Sequence, residues 1–124
     1  AMAACPPGWR LPDSADWNDL ARTTGAQREK YKEGVYIWTN AGTKLKSRQP
    51  HWNGTDDFGF SALPGGTRII GGEFSLVGDQ SIWWSATEHD TGRAWYRGVD
   101  LALWHMGEPS GRKGSGMSVR CVQN

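Results

Sequence analysis

Apolar positions near the amino end of the chain follow the period of a helix. They recur at spacings of three and four residues and are Trp17, Leu20, Ala21 and Thr24. Asp13 stands where an N-cap belongs, an acid follows at the third helical position, and Gly25 supplies the left-handed stop. These signals predict a helix from Asp13 to about Thr24 with one narrow buried face.

The clearest two-residue alternation runs from Ala94 to Trp104 and predicts a strand. One face of that strand is apolar and is expected to join the core: Trp95, Val99, Leu101 and Leu103. The other face holds Tyr96, Asp100 and Trp104, so two aromatic rings flank a carboxylate. That second face has the composition of a binding surface.

The other predicted elements are short. Strand chemistry is found at residues 35–39, 67–70, 81–86 and 116–122, a second helix is expected at 41–47, and the charged segment 27–33 is expected to be an exposed loop or helical turn. Helices come first and strands later, and few connections are long enough for a crossover. The chain is therefore expected to be an α+β domain with antiparallel pairing.

Composition narrows the class of protein. The 124 residues suit one domain, and Trp 8, Gly 17 and Pro 6 indicate many turns around large rigid rings. Residues 1–4 have the character of a cloning remnant, which leaves 5–124 as the domain. The net charge of +1 is scattered, unlike the basic stripe of a nucleic-acid-binding protein, and no apolar run approaches the roughly 20 residues needed for membrane insertion.

Several long motifs, in order, resemble the Fibrobacter succinogenes major paralogous domain. They are Cys5 to Pro12, Trp17 to Leu20, Ala41 to Ser47, Gly54 to Gly66, Trp83 to Glu88 and Ser118 to Val122. Two segments depart from the family's pattern: residues 27–40, which are longer than the usual link, and residues 93–115.

The resemblance implies a secreted or cell-surface bacterial protein and a relation to the C-type lectin-like fold of formylglycine-generating enzymes. In that fold the two termini pair as neighbouring strands. Cys5 and Cys121 could be two buried thiols or a bridge, and the resemblance favours a disulfide in an oxidising compartment. Ligands of such relatives meet the later strands and loops, which here span residues 83–115.

Candidate ligand-binding residues lie in that region. Carbohydrate recognition places a sugar face on an aromatic ring while polar groups bond the hydroxyls. Stacking on sugar is assigned to Tyr96 and Trp104, and the polar partners are expected to be Asp100, His105 and Glu108. The alternative is that Trp104 packs under its loop and Asp100 only caps a turn.

Other tryptophans divide between core and surface. Trp9, Trp17 and Trp84 lie beside apolar neighbours and are expected to be structural. Trp83 should point away from Trp84 in a strand, so Trp83 is expected to extend the binding platform, as is Trp52 in its turn-rich loop.

A short loop gathers the oxygen ligands that calcium prefers, on Asn53, Asp56 and Asp57. It lacks the spacing of an EF-hand, and Asx turns explain the same residues without a metal. Calcium is therefore a possible cofactor and no other is expected.

No catalytic motif is present, and the adjacent Glu88, His89 and Asp90 would point in different directions. The expected function is a non-catalytic carbohydrate-binding module or lectin-like adhesin domain that binds polysaccharide or glycan. The alternative is an adhesin that binds a protein receptor through a diversified surface at residues 93–115. A structural spacer with no ligand is the third possibility.

Overall fold

The computed structural model describes residues 4–124. Its helices and strands, in chain order, are β1 (Trp9–Arg10), α1 (Ser14–Thr23), β2 (Arg28–Lys32), β3 (Val35–Trp38), α2 (Ala41–Leu45), β4 (Thr67–Arg68), β5 (Phe74–Ser75), β6 (Gln80–Glu88), β7 (Arg93–Asp100), β8 (Met106–Gly107), β9 (Ser110–Arg112) and β10 (Val122–Gln123). This mixed α+β domain has mostly antiparallel pairing, as predicted.

The structure confirms the first helix that the sequence predicted. Asp13 accepts a hydrogen bond from the Asp16 N–H, and the Asp16 carboxylate accepts one from the Asp13 N–H, which completes a capping box. Trp17 and Ala21 are buried, and Gly25 adopts φ +84° after the helix. Local chemistry is therefore sufficient to begin and end this helix.

The main sheet has the strand order β2-β3-β8-β7-β6. Strand β9 also pairs with β7, alongside its amino-terminal half, while β8 pairs near its carboxyl end. Pro109 lies between the two short strands, and its carbonyl accepts the Tyr96 N–H at 2.8 Å. The long β6–β7 pair is the most extensive pairing of this sheet, and β6 ends the strand order.

The core is built from stacked aromatic rings. Trp17 and Trp83 stack with centroids 5.5 Å apart, and Phe60 meets Trp83 edge-on at 5.4 Å. Trp52 is only 2% exposed, and its indole N–H donates to the Ala62 carbonyl at 2.8 Å.

The prediction that Trp52 and Trp83 form an exposed platform is therefore wrong. Trp83 does point away from Trp84, but both faces of β6 are covered, so both rings are buried. Trp9, expected in the core, is 45% exposed because β1 lies in a separate two-stranded sheet.

Three predicted elements also need correction. The charged segment 27–33 contains strand β2, whose residues are all exposed and which pairs with β3 through its backbone. Strand β7 ends at Asp100, so the alternation does not continue to Trp104, and Leu103 is 43% exposed. Of the segment 116–122, only Val122 lies in a named strand, while Gly116 and Ser118 make isolated bridges.

The chain ends are joined as predicted. Strand β1 pairs antiparallel with β10, and Cys5 and Cys121 form a disulfide with a Cα–Cα distance of 5.8 Å. None of the helices within residues 4–124 has the length and apolar character of a membrane span. Of the predicted cloning remnant, residues 1–3 lie outside the described part of the chain.

Candidate functional site

One face of the β6–β7–β8 sheet forms an open groove of about 150 Å³. The register opposes Gln80 to Asp100 and Ile82 to Gly98, so alternate side chains of the two long strands share this face. The groove is lined by Gln80, Ile82, Tyr96, Gly98, Val99, Asp100, Leu103, His105, Gly107 and Pro109. It brings together three predicted ligand-binding residues, namely Tyr96, Asp100 and His105.

Tyr96 lies on a firm base within this groove. Its ring meets Trp84 edge-on at 6.1 Å, and a Cβ built on Gly111 would come within 3.1 Å of the tyrosine ring. Burial raises the pKa of Tyr96, so its hydroxyl is a neutral donor and acceptor at pH 7. The ring is held in place while the groove remains open above it.

Asp100 is both a turn residue and a groove residue. Its Oδ1 accepts the Ala102 N–H at 2.9 Å, which is the turn-capping role considered as an alternative. Its Oδ2 accepts the Gln80 side-chain amide at 3.0 Å. Each carboxylate oxygen can accept a second hydrogen bond, so the capped Asp100 can still bind a ligand hydroxyl.

The segment after β7 is held against α2 by its own carbonyl groups. The Thr43 N–H donates to the Trp104 carbonyl at 3.2 Å, and the buried Lys46 ammonium donates to the Leu103 carbonyl at 2.8 Å. The alternative that Trp104 packs under its loop is wrong, since its side chain is 65% exposed. The backbone is anchored and the Trp104 ring is free.

His105 completes the groove next to this segment. Its ring lies 5.8 Å from that of Tyr31, which is 61% exposed on β2. Burial lowers the pKa of His105, and the attraction of Asp100 only partly offsets this effect. The imidazole is therefore neutral at pH 7 and can donate with one nitrogen and accept with the other.

Glu108 does not belong to this groove, contrary to the sequence prediction. Met106 opposes Val99 on the core face, and Glu108 follows Met106 by two residues, so it points to the same side. It is 8% exposed and accepts hydrogen bonds from Arg28 and from the Trp38 indole. The strand predicted from the sequence ends at Trp104, so that prediction assigns Glu108 to no face of the sheet.

A family comparison decides which proteins the chain is related to. The model of the Fibrobacter succinogenes major domain matches residues 1–123. The chain belongs to this family. A comparison with curated proteins found no match. A comparison with solved structures also found none.

In this Fibrobacter succinogenes major domain, side-chain hydrogen bonds to other protein groups hold the predicted calcium loop. Asp56 accepts both the N–H and the hydroxyl of Ser61, at 2.8 and 2.6 Å, and these bonds lower its pKa. The Asn53 amide donates to the Leu101 carbonyl at 3.4 Å. Within residues 4–124 no three His, Cys, Asp or Glu residues are grouped as a metal site. The Asp56 and Asn53 side chains are bonded to Ser61 and Leu101, and neither bond is an Asx turn, because an Asx turn joins a side chain to the backbone two residues on.

Three residues of the groove region were missed by sequence reasoning: Gln80, Tyr31 and Lys46. Gln80 shares the face of Asp100 only through the β6–β7 register, which a single sequence does not reveal. Tyr31 lay in a segment assigned to loop, although its strand partner begins at Val35 after a two-residue turn. Lys46 is 1% exposed, although lysine is rarely buried, so the residue type alone predicts a surface position.

Proposed function

We propose that this domain is a non-catalytic carbohydrate-binding module or lectin-like adhesin domain, with its ligand in the groove of Tyr96, Asp100 and His105. The observation that supports the proposal most directly is the convergence of these side chains, with Gln80, in one open groove. A sugar unit presents both an apolar face and several hydroxyls. Aromatic rings and uncharged or anionic hydrogen-bonding groups complement that combination.

The exposed rings near the groove support a polymeric ligand. Trp104 is 65% exposed and Tyr31 is 61% exposed, and each is next to or in contact with His105. Large exposed rings are costly to leave in water and are typical of recognition surfaces. A groove of about 150 Å³ suits one sugar ring lying across the surface, with neighbouring units extending over Trp104 and Tyr31.

We infer a relation to the C-type lectin-like fold and a secreted or cell-surface location. Support for the fold comes from two short helices, a central antiparallel sheet and termini paired in β1 and β10. Support for the location comes from the Cys5–Cys121 disulfide, since such bonds persist in oxidising compartments.

The non-catalytic assignment rests on the polar geometry outside the groove. His89 Nδ1 lies 3.0 Å from Ser110 Oγ, which resembles the first contact of a nucleophile and its base. Arg93 also donates to that hydroxyl, at 3.3 Å, and no carboxylate within residues 4–124 hydrogen-bonds to His89. The pair lacks an orienting acid, so we assign it to structure.

The test is a glycan array with pull-down on insoluble polysaccharides, run with calcium and again with chelator. We expect retention on a defined glycan, weakened about tenfold by Trp104→Ala, which corresponds to about 1.4 kcal/mol. Tyr96→Phe should weaken retention without loss of stability, because the ring still packs on Trp84. Phe74→Ala is the matched control, since Phe74 is 75% exposed but does not line the groove.

Retention that survives unchanged in both Trp104→Ala and Tyr96→Phe would contradict the placement of the ligand. A folded domain that binds no glycan on either support would contradict the carbohydrate proposal itself. Retention that requires calcium would support the predicted calcium site in the loop of Asn53, Asp56 and Asp57.

A protein-binding adhesin domain is the second candidate, and it is favoured by a surface that lies outside the predicted residues 93–115. The hairpin of β4 and β5 and its flanks expose large apolar side chains: Leu63, Ile69, Ile70, Phe74, Leu76 and Val77. Grouped exposed apolar residues are more typical of protein interfaces than of sugar sites. Under this function Phe74→Ala abolishes capture of the receptor and Trp104→Ala leaves it intact, the reverse of the carbohydrate result.

A further inference from the structure

A second cleft lies on the sheet face opposite the groove, between α1 and the strands. Its volume is about 350 Å³, and the residues used below are Asn18, Arg28, Tyr36, Trp95, Arg97 and Glu108. Arg97 opposes Trp83 in the β6–β7 register, so its side chain projects to the core side of the sheet. The cleft is therefore separate from the groove of Tyr96.

Charge in this cleft is unbalanced. Arg28 and Arg97 share a single carboxylate, that of Glu108, which leaves a surplus of one positive charge. Arg28 takes the closer position: its Nε donates to the two Glu108 oxygens at 3.1 and 3.0 Å, and its Nη2 also contacts Oε1. The Arg97 Nη2 is 3.9 Å from Glu108 Oε2, beyond hydrogen-bond distance.

Arg97 is buried with unmet hydrogen-bonding capacity. Its residue is 2% exposed, and its Nη2 donates to the Asn18 amide oxygen at 2.9 Å. Its Nε and Nη1 have no hydrogen-bond partner in the described part of the chain. Burial lowers the pKa of Arg97 to about 10, which reflects the free energy needed to hold the cation there. A buried cation of this kind favours an added anion.

The protonation state of Glu108 does not change this charge balance at neutral pH. Burial would raise its pKa, but the hydrogen bonds from Arg28, the nearby Arg97 and the Trp38 indole outweigh burial and leave the pKa below its usual value. Glu108 is thus ionised at neutral pH and already engaged. The second arginine needs another anion.

Two aromatic walls line the cleft together with the charged groups. The Arg28 guanidinium lies 3.8 Å from the centroid of the Tyr36 ring, and Trp95 lines the same cleft. The cleft volume is large enough for one six-membered ring with its substituents. A ligand whose body is a ring could contact these walls while its charged end reaches the arginines.

We propose that this cleft is a binding site for a small monocarboxylate with a ring-shaped body, held by Arg28 and Arg97. A monoanion matches the surplus of one positive charge. Guanidinium groups are the preferred partners of carboxylates because their planar N–H donors match the two oxygens. The Arg28 side chain is 44% exposed and forms the entrance.

Access to Arg97 requires one side chain to move. Its Nε and Nη1 are covered, so the carboxylate first meets Arg28. When the Asn18 amide turns away from Nη2, the two carboxylate oxygens can accept from Nη2 and from the unpartnered Nη1 together. Binding should therefore perturb Asn18 and Arg97 together.

The test is an NMR titration at constant ionic strength with sodium glucuronate, sodium benzoate and sodium acetate, and with methyl glucoside as the neutral comparison. We expect saturable shifts of the Trp95 indole, Asn18 amide and Arg97 Nε–H signals with glucuronate or benzoate. Glucuronate binding more tightly identifies a sugar acid, and benzoate binding more tightly identifies an aromatic acid. Acetate should bind at least tenfold more weakly than the better of the two.

Four variants separate this site from nonspecific attraction. Arg97→Met and Arg28→Met should each weaken binding about tenfold, whereas Lys32→Met, an exposed cation on the same strand as Arg28, should not. Glu108→Gln should strengthen binding about tenfold, because it removes the competing charge and can still accept the Trp38 N–H. A gain in Glu108→Gln is not expected if the three charges only stabilise the fold.

The proposal is overturned if no carboxylate saturates either the parent or Glu108→Gln. It is also overturned if acetate or inorganic phosphate binds as tightly as the ring acids, or if Lys32→Met weakens binding as much as Arg28→Met. Glu108→Gln keeps the proposal testable should Arg97→Met fail to fold. Trp104 does not line this cleft, so Trp104→Ala should leave carboxylate binding unchanged. The glycan proposal and the carboxylate proposal can therefore fail separately.

Discussion

Tryptophans in this chain have opposite roles that depend on a few neighbouring atoms. Trp52 follows an exposed histidine in a turn-rich loop, yet the Ala62 carbonyl accepts its N–H and the ring is buried. Trp104 follows an apolar segment, yet its carbonyl is bound to Thr43 while its ring faces solvent. Side-chain type gave no distinction between the two, because the deciding partners are distant backbone groups.

His105 gives a prediction at the scale of one residue. Its pKa in the folded domain is lowered, so the unfolded chain takes up a proton first as the pH falls below about 6.5. The free energy of unfolding should therefore decrease through that range. His105→Gln should reduce this slope, and His51→Gln, which alters an exposed histidine, should leave it as in the parent. Denaturant unfolding at pH 7.5, 6.5 and 5.5 measures the slope, and equal slopes in the parent and His105→Gln would contradict it.

Elements with local start and stop signals were predicted well, and short edge strands were not. Helix α1 has its cap, its acid and its terminal glycine within one stretch of chain. Strand β2 is polar throughout and exists because β3 offers hydrogen-bond partners. Strands β8 and β9 are too short to show a period, and Pro109 interrupts the run between them.

The capping box of α1 should make the domain sensitive to acid. Hydrogen bonds from Arg10 and the Asp13 N–H hold the pKa of Asp16 at about 2, below its unfolded value. The stabilisation is present above about pH 4 and lost as the pH falls through about 2. Asp16→Asn should lower the free energy of unfolding by about 1 kcal/mol at pH 7 and flatten the loss between pH 4 and 2. Asp19→Asn, in the same helix but exposed, is the control, and an Asp16→Asn acid profile like the parent's would exclude this role.

The contact of α2 with the Trp104 segment gives a second prediction for an element. A Cβ on Gly42 would lie 2.5 Å from the His105 carbonyl oxygen, so Gly42→Ala must push the helix and the segment apart. We expect a loss of about 1–3 kcal/mol in unfolding free energy, with weaker glycan retention. Gly71→Ala is the matched control, since a Cβ there meets nothing within 4 Å. Unchanged stability and retention in Gly42→Ala would show that the close approach is not required.

The whole molecule depends on closure of its two ends. Strands β1 and β10 form only a short separate sheet, so the disulfide supplements a weak pairing. The bridge joins residues 116 apart, which makes the closed loop nearly the entire chain. Stabilisation of this kind acts mainly by restricting the unfolded state.

Removal of the disulfide should therefore lower the stability of the whole domain. The double variant Cys5→Ser with Cys121→Ser should lose roughly 4 kcal/mol in unfolding free energy, measured by denaturant unfolding against the oxidised parent. Adding a reductant should lower the parent to the level of the variant and leave the variant unaffected. A difference below about 1 kcal/mol would mean that packing alone holds the termini together.

Features encoded in neighbouring residues were determined by the sequence itself: helix α1 with its capping box, helix α2, the strand content of β3, β6 and β7, the α+β class and the family. The pairing of Cys5 with Cys121 was also foreseen, although through the family resemblance. Tertiary structure alone decided which face each side chain occupies. Tyr96, Asp100 and His105 meet because β6, β7 and β8 pair in one register, while Glu108 joins Arg28 and Arg97 on the reverse face. The physical reason is that register and burial are set by contacts between segments far apart in the chain, and one sequence does not state which segments will meet.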